Sequence, residues 1–329
     1  MERIIREKCT LLVENRKAIT KAFKWESGLM SLAASSLYAA MGKAADPEKL
    51  KECEKMLKSE TSVLSEFRGN VKMPLLCKMA LSENPQEYLG RVRYIYSLLQ
   101  KSKILGDEYR VLAAMTLCDH LGDKAPESYV EKTNEIYSAM KENHKWITSN
   151  EDIPFAAMLA VTGQDIGTIS ENSENAYSVL KKYFRDSNAV QALSHVLSLE
   201  DLDVEENCAK TVAIYDYLKE QKHKFGKSYE LATLGSLAML DIPSEKLGDF
   251  IIYADEYLKD EKGFGDWSLG ATERRMYAAL MVLSACSPKD DGRSANIVLS
   301  STLSITIAIE VCIIICMASC VAATSAATN

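Results

Sequence analysis

The stretch RYIYSLL at residues 93–99 returns along the chain in related forms, and it decides the fold. Equivalent tyrosines recur at Tyr96, Tyr137, Tyr177, Tyr215 and, in a looser form, Tyr253. The intervals between them are 41, 40, 38 and 38 residues. A fixed period of about 20 to 50 residues is typical of stacked supersecondary units. The stretch therefore predicts a repeat protein.

A second marker recurs in the same phase, a basic residue followed by a bulky apolar residue and commonly by glycine. The bulky positions are Trp25, Phe67, Leu105, Trp146, Phe184, Phe225 and Phe264. Glycine just after a helix adopts the left-handed C-cap conformation, and an apolar neighbour packs back on the last turn. We therefore interpret all seven bulky residues as packing residues at helix ends.

Apolar runs such as GLMSLAASSL (28–37) lie between each of these ends and the next tyrosine segment. A turn follows each run, and four of these turns contain a proline, Pro47, Pro85, Pro126 or Pro243. Proline suits the first turn of a helix, where its missing N–H costs nothing. Each period is therefore predicted to contain two helices.

These patterns predict an all-α fold, an array of about six to seven helical hairpins with a period of about 38–42 residues. The array is either an open α-solenoid or a closed α/α toroid. Residues 1–24 form a leading helix and residues 25–290 the hairpins. Residues 294–329 form an apolar C-terminal helix and tail, which we expect to pack as the closing helix of the seventh hairpin.

The tail contains the apolar stretch SITIAIEVCIIICMASC at residues 304–320. Residues 303–321 are long enough to span a bilayer and contain no lysine or arginine, but the central Glu310 opposes insertion. Three alternatives stay open: a helix that is buried in the array or self-associates, a membrane anchor, and a disordered or re-entrant tail. Glu310, Cys312, Cys316 and Cys320 are candidate contact residues of this surface.

The composition limits the functional classes. The net charge of -7 and the pI near 5.4 disfavour nucleic acid as a partner, because such partners require a basic footprint. The charged start MERIIREKCT lacks the apolar core of a secretion signal, and the nine cysteines form no CxxC motif. We therefore expect a cytoplasmic protein with reduced thiols.

Functional residues are sought where a unit departs from the repeat. One departure is a predicted long turn at residues 163–175. Another is an acidic turn with the candidates Asp201, Asp203 and Glu205. The third contributes Trp267, Arg274 and Arg275, since two guanidinium groups could hold a carboxylate or phosphate. The favoured interpretation of both arginines is structural, in that they extend over neighbouring helices or form salt bridges with them.

Neither a catalytic set nor a metal-ligand pattern emerges, and we expect no cofactor. The leading hypothesis is a non-enzymatic helical-repeat scaffold or adaptor that binds a protein or peptide partner. The first alternative is an enzyme on an α/α toroid, such as a carbohydrate-active hydrolase, which needs two facing carboxylates and aromatic sugar platforms. The second is a membrane adaptor that is anchored by its tail.

The segments YIYSLL and KFGKSYELATL, together with the apolar tail, resemble domain of unknown function 4003, a family of low-GC Gram-positive bacteria (Firmicutes). The resemblance covers most of the chain. It implies a bacterial cytosolic protein, and it carries no activity and no catalytic residue over to this chain.

Overall fold

The computed structural model describes residues 1–100, 107–200 and 203–287. In these residues all regular structure is helical, which confirms the predicted all-α class. The described α-helices are α1 (Glu2–Ala22), α2 (Gly28–Ala40), α3 (Pro47–Glu60), α4 (Lys72–Leu81), α5 (Pro85–Gln100), α6 (Glu108–Leu121), α7 (Glu127–Asn143), α8 (Ile153–Ala160), α9 (Ile166–Leu180), α10 (Ser187–Leu197), α11 (Val204–Glu220), α12 (Leu231–Ala238), α13 (Ser244–Lys259) and α14 (Ala271–Cys286).

The even-numbered helices form an inner layer. Every residue of α8 is buried, and so is every residue of α2 from Met30 to Ala40. A helix that is apolar all round must be covered on all sides. The inner helices are the apolar runs of the sequence, and their side chains fill the centre of the fold.

The odd-numbered helices form an outer layer, because each buries a single stripe. In α7 this stripe consists of Val130, Thr133, Ile136 and Met140. Intervals of three and four residues place these side chains on one face of the helix. The outer helices are the tyrosine segments of the sequence, and their other faces meet solvent.

The two layers close into a ring, because α1 packs on α13 and α14, and α14 packs on α2. At this seam the Thr10 hydroxyl lies 2.8 Å from the Tyr257 hydroxyl. The Arg16 guanidinium donates a 2.5 Å hydrogen bond to the Gly263 carbonyl and lies 4.7 Å from the ring centroid of Phe264. Of the two predicted arrangements, the described residues adopt the closed toroid.

Closure defines the repeating unit. The most extensive packing is between an outer helix and the inner helix that follows it, as for α1 with α2 and α13 with α14. The ring therefore contains seven outer–inner pairs, and α1 is the outer member of the first pair. The place beside α14 that was expected for the tail is taken by α1. Residues 294–329, with the predicted closing helix, lie outside the described residues.

The predicted long turn at residues 163–175 is wrong, since α9 begins at Ile166. The Asp165 side chain caps it by accepting a 2.9 Å hydrogen bond from the Thr168 amide. The many polar residues of this segment lie on the outer face of α9. Its buried stripe includes Ser173, whose hydroxyl lies 3.0 Å from the Ser198 hydroxyl. The polar composition of this segment led to its interpretation as a turn, although an outer helix needs only one apolar face.

Candidate functional site

The ring has two ends with different loops. At one end, each outer helix leads into its inner partner, and the described parts of these loops are 23–27, 61–71, 107, 144–152, 181–186, 221–230 and 260–270. We call this the tryptophan end. At the opposite end, each inner helix leads into the next outer helix. Neighbouring loops of the first kind contact each other or the adjoining helix starts, as Ser228 does with Asp186 and Asn70 with Glu108, so these loops lie at the same end.

All three tryptophans of the chain lie at the tryptophan end and face solvent. Trp25 is 99% exposed, Trp146 is 94% exposed and Trp267 is 103% exposed relative to a free reference residue. Val63 and Leu64 are 81% and 94% exposed in the loop of the second pair. Tyr183 is 56% exposed in the loop of the fifth pair. Several loops of this end therefore expose large apolar side chains to solvent.

This exposure corrects the interpretation of the bulky residues as packing residues. Phe67, Phe184, Phe225 and Phe264 are buried as expected, whereas Trp25 and Trp146 at equivalent places are not. In the first pair, Phe23 fills the packing position instead and is 7% exposed. Leu105 lies outside the described residues.

The exposed charges of the ring are also divided between its ends. In the described loops of the tryptophan end, the exposed acids are Asp186, Asp260 and Asp266. The exposed cations of these loops are Lys24, Lys145, Lys182, Arg185, Lys222, Lys224, Lys227 and Lys262. Exposed cations therefore outnumber exposed acids in these loops, whereas half-buried acids such as Glu26, Glu66 and Glu261 offset the excess in the total charge.

The opposite end has the reverse balance. In its described loops the exposed cations are Lys43 and Lys124. The exposed acids are Asp46, Glu83, Asp123, Asp165, Glu200, Asp203 and Asp241. The exposed loop charges are thus more positive at the tryptophan end than at the opposite end.

The loop that carries Trp146 is held from both sides. The ring of His144 lies 4.3 Å from the ring of Tyr177, and its Nε2 is 2.9 Å from the Glu174 carboxylate. The Thr148 hydroxyl donates to the Met140 carbonyl at 3.1 Å. The indole of Trp146 is thus exposed on a fixed loop.

Arg274 fixes the loop that carries Trp267. Its side chain is 2% exposed and donates to the Asp255 and Asp266 carboxylates, each at 2.6 Å, and to the Phe264 carbonyl at 3.1 Å. The guanidinium of Arg274 lowers the pKa of Asp266. The donors of Arg274 are thus used inside the protein, so this arginine acts as a tie between α13, α14 and the loop of Trp267.

Arg275 shares the same buried carboxylate. Its Nε lies 3.0 Å from the Asp255 carboxylate, and its Nη1 donates to the Lys224 carbonyl at 2.7 Å. His223 Nδ1 lies 2.9 Å from Asp255 as well. The two predicted anion-binding arginines are therefore engaged in salt bridges and hydrogen bonds, as in the favoured structural interpretation.

The other predicted candidates lie away from Trp267. Asp203 caps α11 by accepting a 3.0 Å hydrogen bond from the Glu206 amide, and Glu205 is exposed in the first turn. Both belong to the opposite end. Asp201, Glu310, Cys312, Cys316 and Cys320 lie outside the described residues.

The model of one protein family matches residues 15–318. The chain belongs to this family, described as protein of unknown function DUF4003. This confirms the resemblance seen in the sequence. The uncharacterized protein YeaA of Bacillus subtilis strain 168 is 25% identical over 175 residues. The alignment covers 52% of this chain and 51% of YeaA, so the chain spans about half the length of the relative it matches. No solved structure matches.

Two acidic side chains of the tryptophan end, Glu151 and Glu230, accept hydrogen bonds from neighbouring residues. The Glu151 carboxylate accepts hydrogen bonds from the Tyr109 hydroxyl, at 3.3 Å, and from the Tyr229 hydroxyl. The Glu230 carboxylate accepts from the Ser228 amide at 3.2 Å, and burial raises its pKa. These contacts tie the starts of α6, α8 and α12 together at the tryptophan end.

A buried acid–imidazole pair, Asp152 and His195, lies close to the tryptophan end. His195 Nε2 is 3.7 Å from the Asp152 carboxylate. Burial raises the pKa of Asp152 to about 7 and lowers the pKa of His195 to about 3, so His195 is neutral near pH 7 and Asp152 is protonated below that pH. Since both side chains are less than a tenth exposed, the pair has no open face towards a substrate.

Within the described residues, no group of histidine, cysteine, aspartate or glutamate side chains has a metal-binding arrangement. The described part of the chain also contains no helix that is both long and apolar enough to cross a membrane.

Proposed function

We propose that the protein is a non-enzymatic helical-repeat scaffold that works by docking through its tryptophan end. The observation that carries this proposal is the exposure of all three tryptophans at one end of the ring. Tryptophan is enriched at interaction surfaces, because its ring is large and apolar while its indole N–H is polar. The loops that carry Trp146 and Trp267 are fixed by hydrogen bonds, so little ordering entropy is lost on docking.

The toroid-hydrolase alternative has less support. A closed ring is the expected architecture for it, but the inner helices are covered on all sides, as the wholly buried α8 illustrates. The described ring therefore has no wide central cleft for a polysaccharide. Aromatic sugar platforms are commonly flanked by polar side chains in a cleft, whereas indoles that are 94% to 103% exposed have no such walls.

The scaffold is proposed to act in the cytoplasm. The described cysteines are free, and five of the six are buried, which suits a reducing compartment. Burial raises the pKa of the Cys9 thiol to about 12, so this group is unreactive near neutral pH. A protein or peptide partner, and attachment through residues 303–321, stay predictions from the sequence.

Site-specific photo-crosslinking tests the proposal. The chain would be expressed in Bacillus subtilis with benzoylphenylalanine in place of Trp146, and separately in place of Tyr94, which is 49% exposed on the outer wall of α5. We expect adducts at the Trp146 position, whether to protein, lipid or a second copy, and few at the Tyr94 position. Equal labelling at both positions would refute docking through the tryptophan end.

A further inference from the structure

We infer that the tryptophan end docks on an anionic membrane surface, with its indoles at the level of the lipid headgroups. This inference rests on the proposed function and names the partner of the same surface.

The distribution of the tryptophans around the ring is the first support. Trp25 and Trp267 belong to the adjacent first and seventh pairs, and Trp146 belongs to the fourth pair on the far side. With neighbouring helix axes 8–10 Å apart, a double ring of this size separates the two sides by roughly 30 Å. A single pocket cannot hold all three side chains, whereas a flat bilayer contacts them together.

The chemistry of the exposed side chains is the second support. Tryptophan and tyrosine concentrate at membrane interfaces, because an apolar ring with one polar group suits the boundary between lipid and water. Hot spots of protein interfaces instead cluster at the centre of a patch and fill pockets. Single-stranded nucleic acid would use the aromatic rings for stacking, but it gives no role to the exposed aliphatic side chains of Val63 and Leu64.

The charge of this end is the third support. Lys24, Lys145 and Lys182 each directly precede an exposed aromatic residue, so a cation accompanies each ring at the surface. Near an anionic leaflet each such cation strengthens binding several-fold. The acidic opposite end is repelled by the same leaflet. The difference in exposed loop charge between the two ends therefore orients the tryptophan end towards anionic lipid.

Vesicle binding by the full chain tests the inference. Vesicles of equal parts phosphatidylcholine and phosphatidylglycerol are compared with vesicles of phosphatidylcholine alone, by flotation and by tryptophan emission. Because all three tryptophans lie at one end, their emission reports that end and no other. We expect flotation and a blue shift with the anionic vesicles, both weakened by added salt.

Two sets of variants identify the surface. Trp25→Ala, Trp146→Ala and Trp267→Ala together, the triple tryptophan variant, should weaken partitioning at least about tenfold, with Tyr94→Ala as the control. Lys24→Glu, Lys145→Glu and Lys182→Glu together should weaken it by about tenfold or more. The matched charge control is Lys43→Glu with Lys124→Glu at the opposite end, which should leave partitioning nearly unchanged.

The outcomes separate the two claims. Flotation without a shift in tryptophan emission, and unaffected by the triple tryptophan variant, would overturn the inference and point to another surface such as residues 303–321. Absence of vesicle binding together with adducts to a protein or nucleic acid at the Trp146 position would overturn the membrane partner and leave the docking function intact. Absence of both would reject both claims.

Discussion

Replacing Arg274 by methionine tests whether this residue is a structural tie. In the folded protein, the Arg274 guanidinium contacts two carboxylates and one carbonyl, and the side chain is only 2% exposed. Asp255, its main partner, is 1% exposed. Methionine retains most of the apolar volume but has no donor. The variant therefore leaves Asp255 with Arg275 and His223 alone.

The expected loss of stability follows from the burial of Arg274 and Asp255. Removing one partner of a buried ion pair costs about 3–5 kcal/mol, because the remaining charge stays desolvated. Arg275 and His223 still contact Asp255, so we expect the lower end, about 3 kcal/mol, for Arg274→Met. The matched control is Arg275→Met. Its side chain is 15% exposed, and its loss should be about 1 kcal/mol.

Urea unfolding followed by far-ultraviolet circular dichroism measures both losses. Adding Asp255→Asn to each arginine variant gives a double-mutant cycle, and we expect a coupling of at least about 1 kcal/mol between Arg274 and Asp255. Wild-type stability of Arg274→Met, or a larger loss for Arg275→Met, would refute the assignment of Arg274 as the tie between α13, α14 and the loop of Trp267.

Three further expectations concern stability. The triple tryptophan variant should change the free energy of unfolding by less than about 0.5 kcal/mol, and a larger change in urea unfolding would contradict the exposure of the indoles. Gly248→Ala should cost about 1–3 kcal/mol, since the new Cβ would lie 2.2 Å from the Tyr217 ring; an unchanged melting temperature would show that this ring moves away freely. Asp152→Asn should change how the free energy of unfolding depends on pH. Burial raises the folded-state pKa of Asp152 to about 7, so the stability from this group is full below about pH 4 and is lost as pH rises to 7. Between about pH 5 and 7, the free energy of unfolding of the variant should therefore rise relative to that of the wild type by on the order of 2 kcal/mol. Parallel curves of stability against pH would contradict the raised pKa.

The helical fold could be predicted because its signals are local. Outer helices repeat the tyrosine segment, and inner helices are apolar runs, so each helix type has its own pattern in the sequence. Closure has no such signal. It depends on the small rotation between neighbouring pairs, which accumulates over seven pairs and is set by side-chain packing rather than by spacing. The contact of Thr10 with Tyr257 could not have been read from either segment.

The candidate site was predicted only in part. Trp267 was selected as a departure from the repeat, but Trp25 and Trp146 occupy repeat positions and were interpreted as packing residues. The sequence contained one signal against that interpretation, since Phe23 stands two residues before Trp25 and offers a second side chain for the same place. The arginines were candidates because adjacent cations resemble an anion site until their carboxylate partners are located, and their contacts agree with the favoured salt-bridge interpretation.

Closure of the ring has a consequence for synthesis on the ribosome. Thr10 and Tyr257 are 247 residues apart, so α1 leaves the ribosome long before its last partners exist. At about 5–20 residues per second, the delay is roughly 12–50 s. During this time the nascent chain is an open arc whose first helix has an uncovered apolar edge. Chaperones that bind such edges, and proteases that remove truncated products, would therefore act on this protein mainly before translation reaches α13.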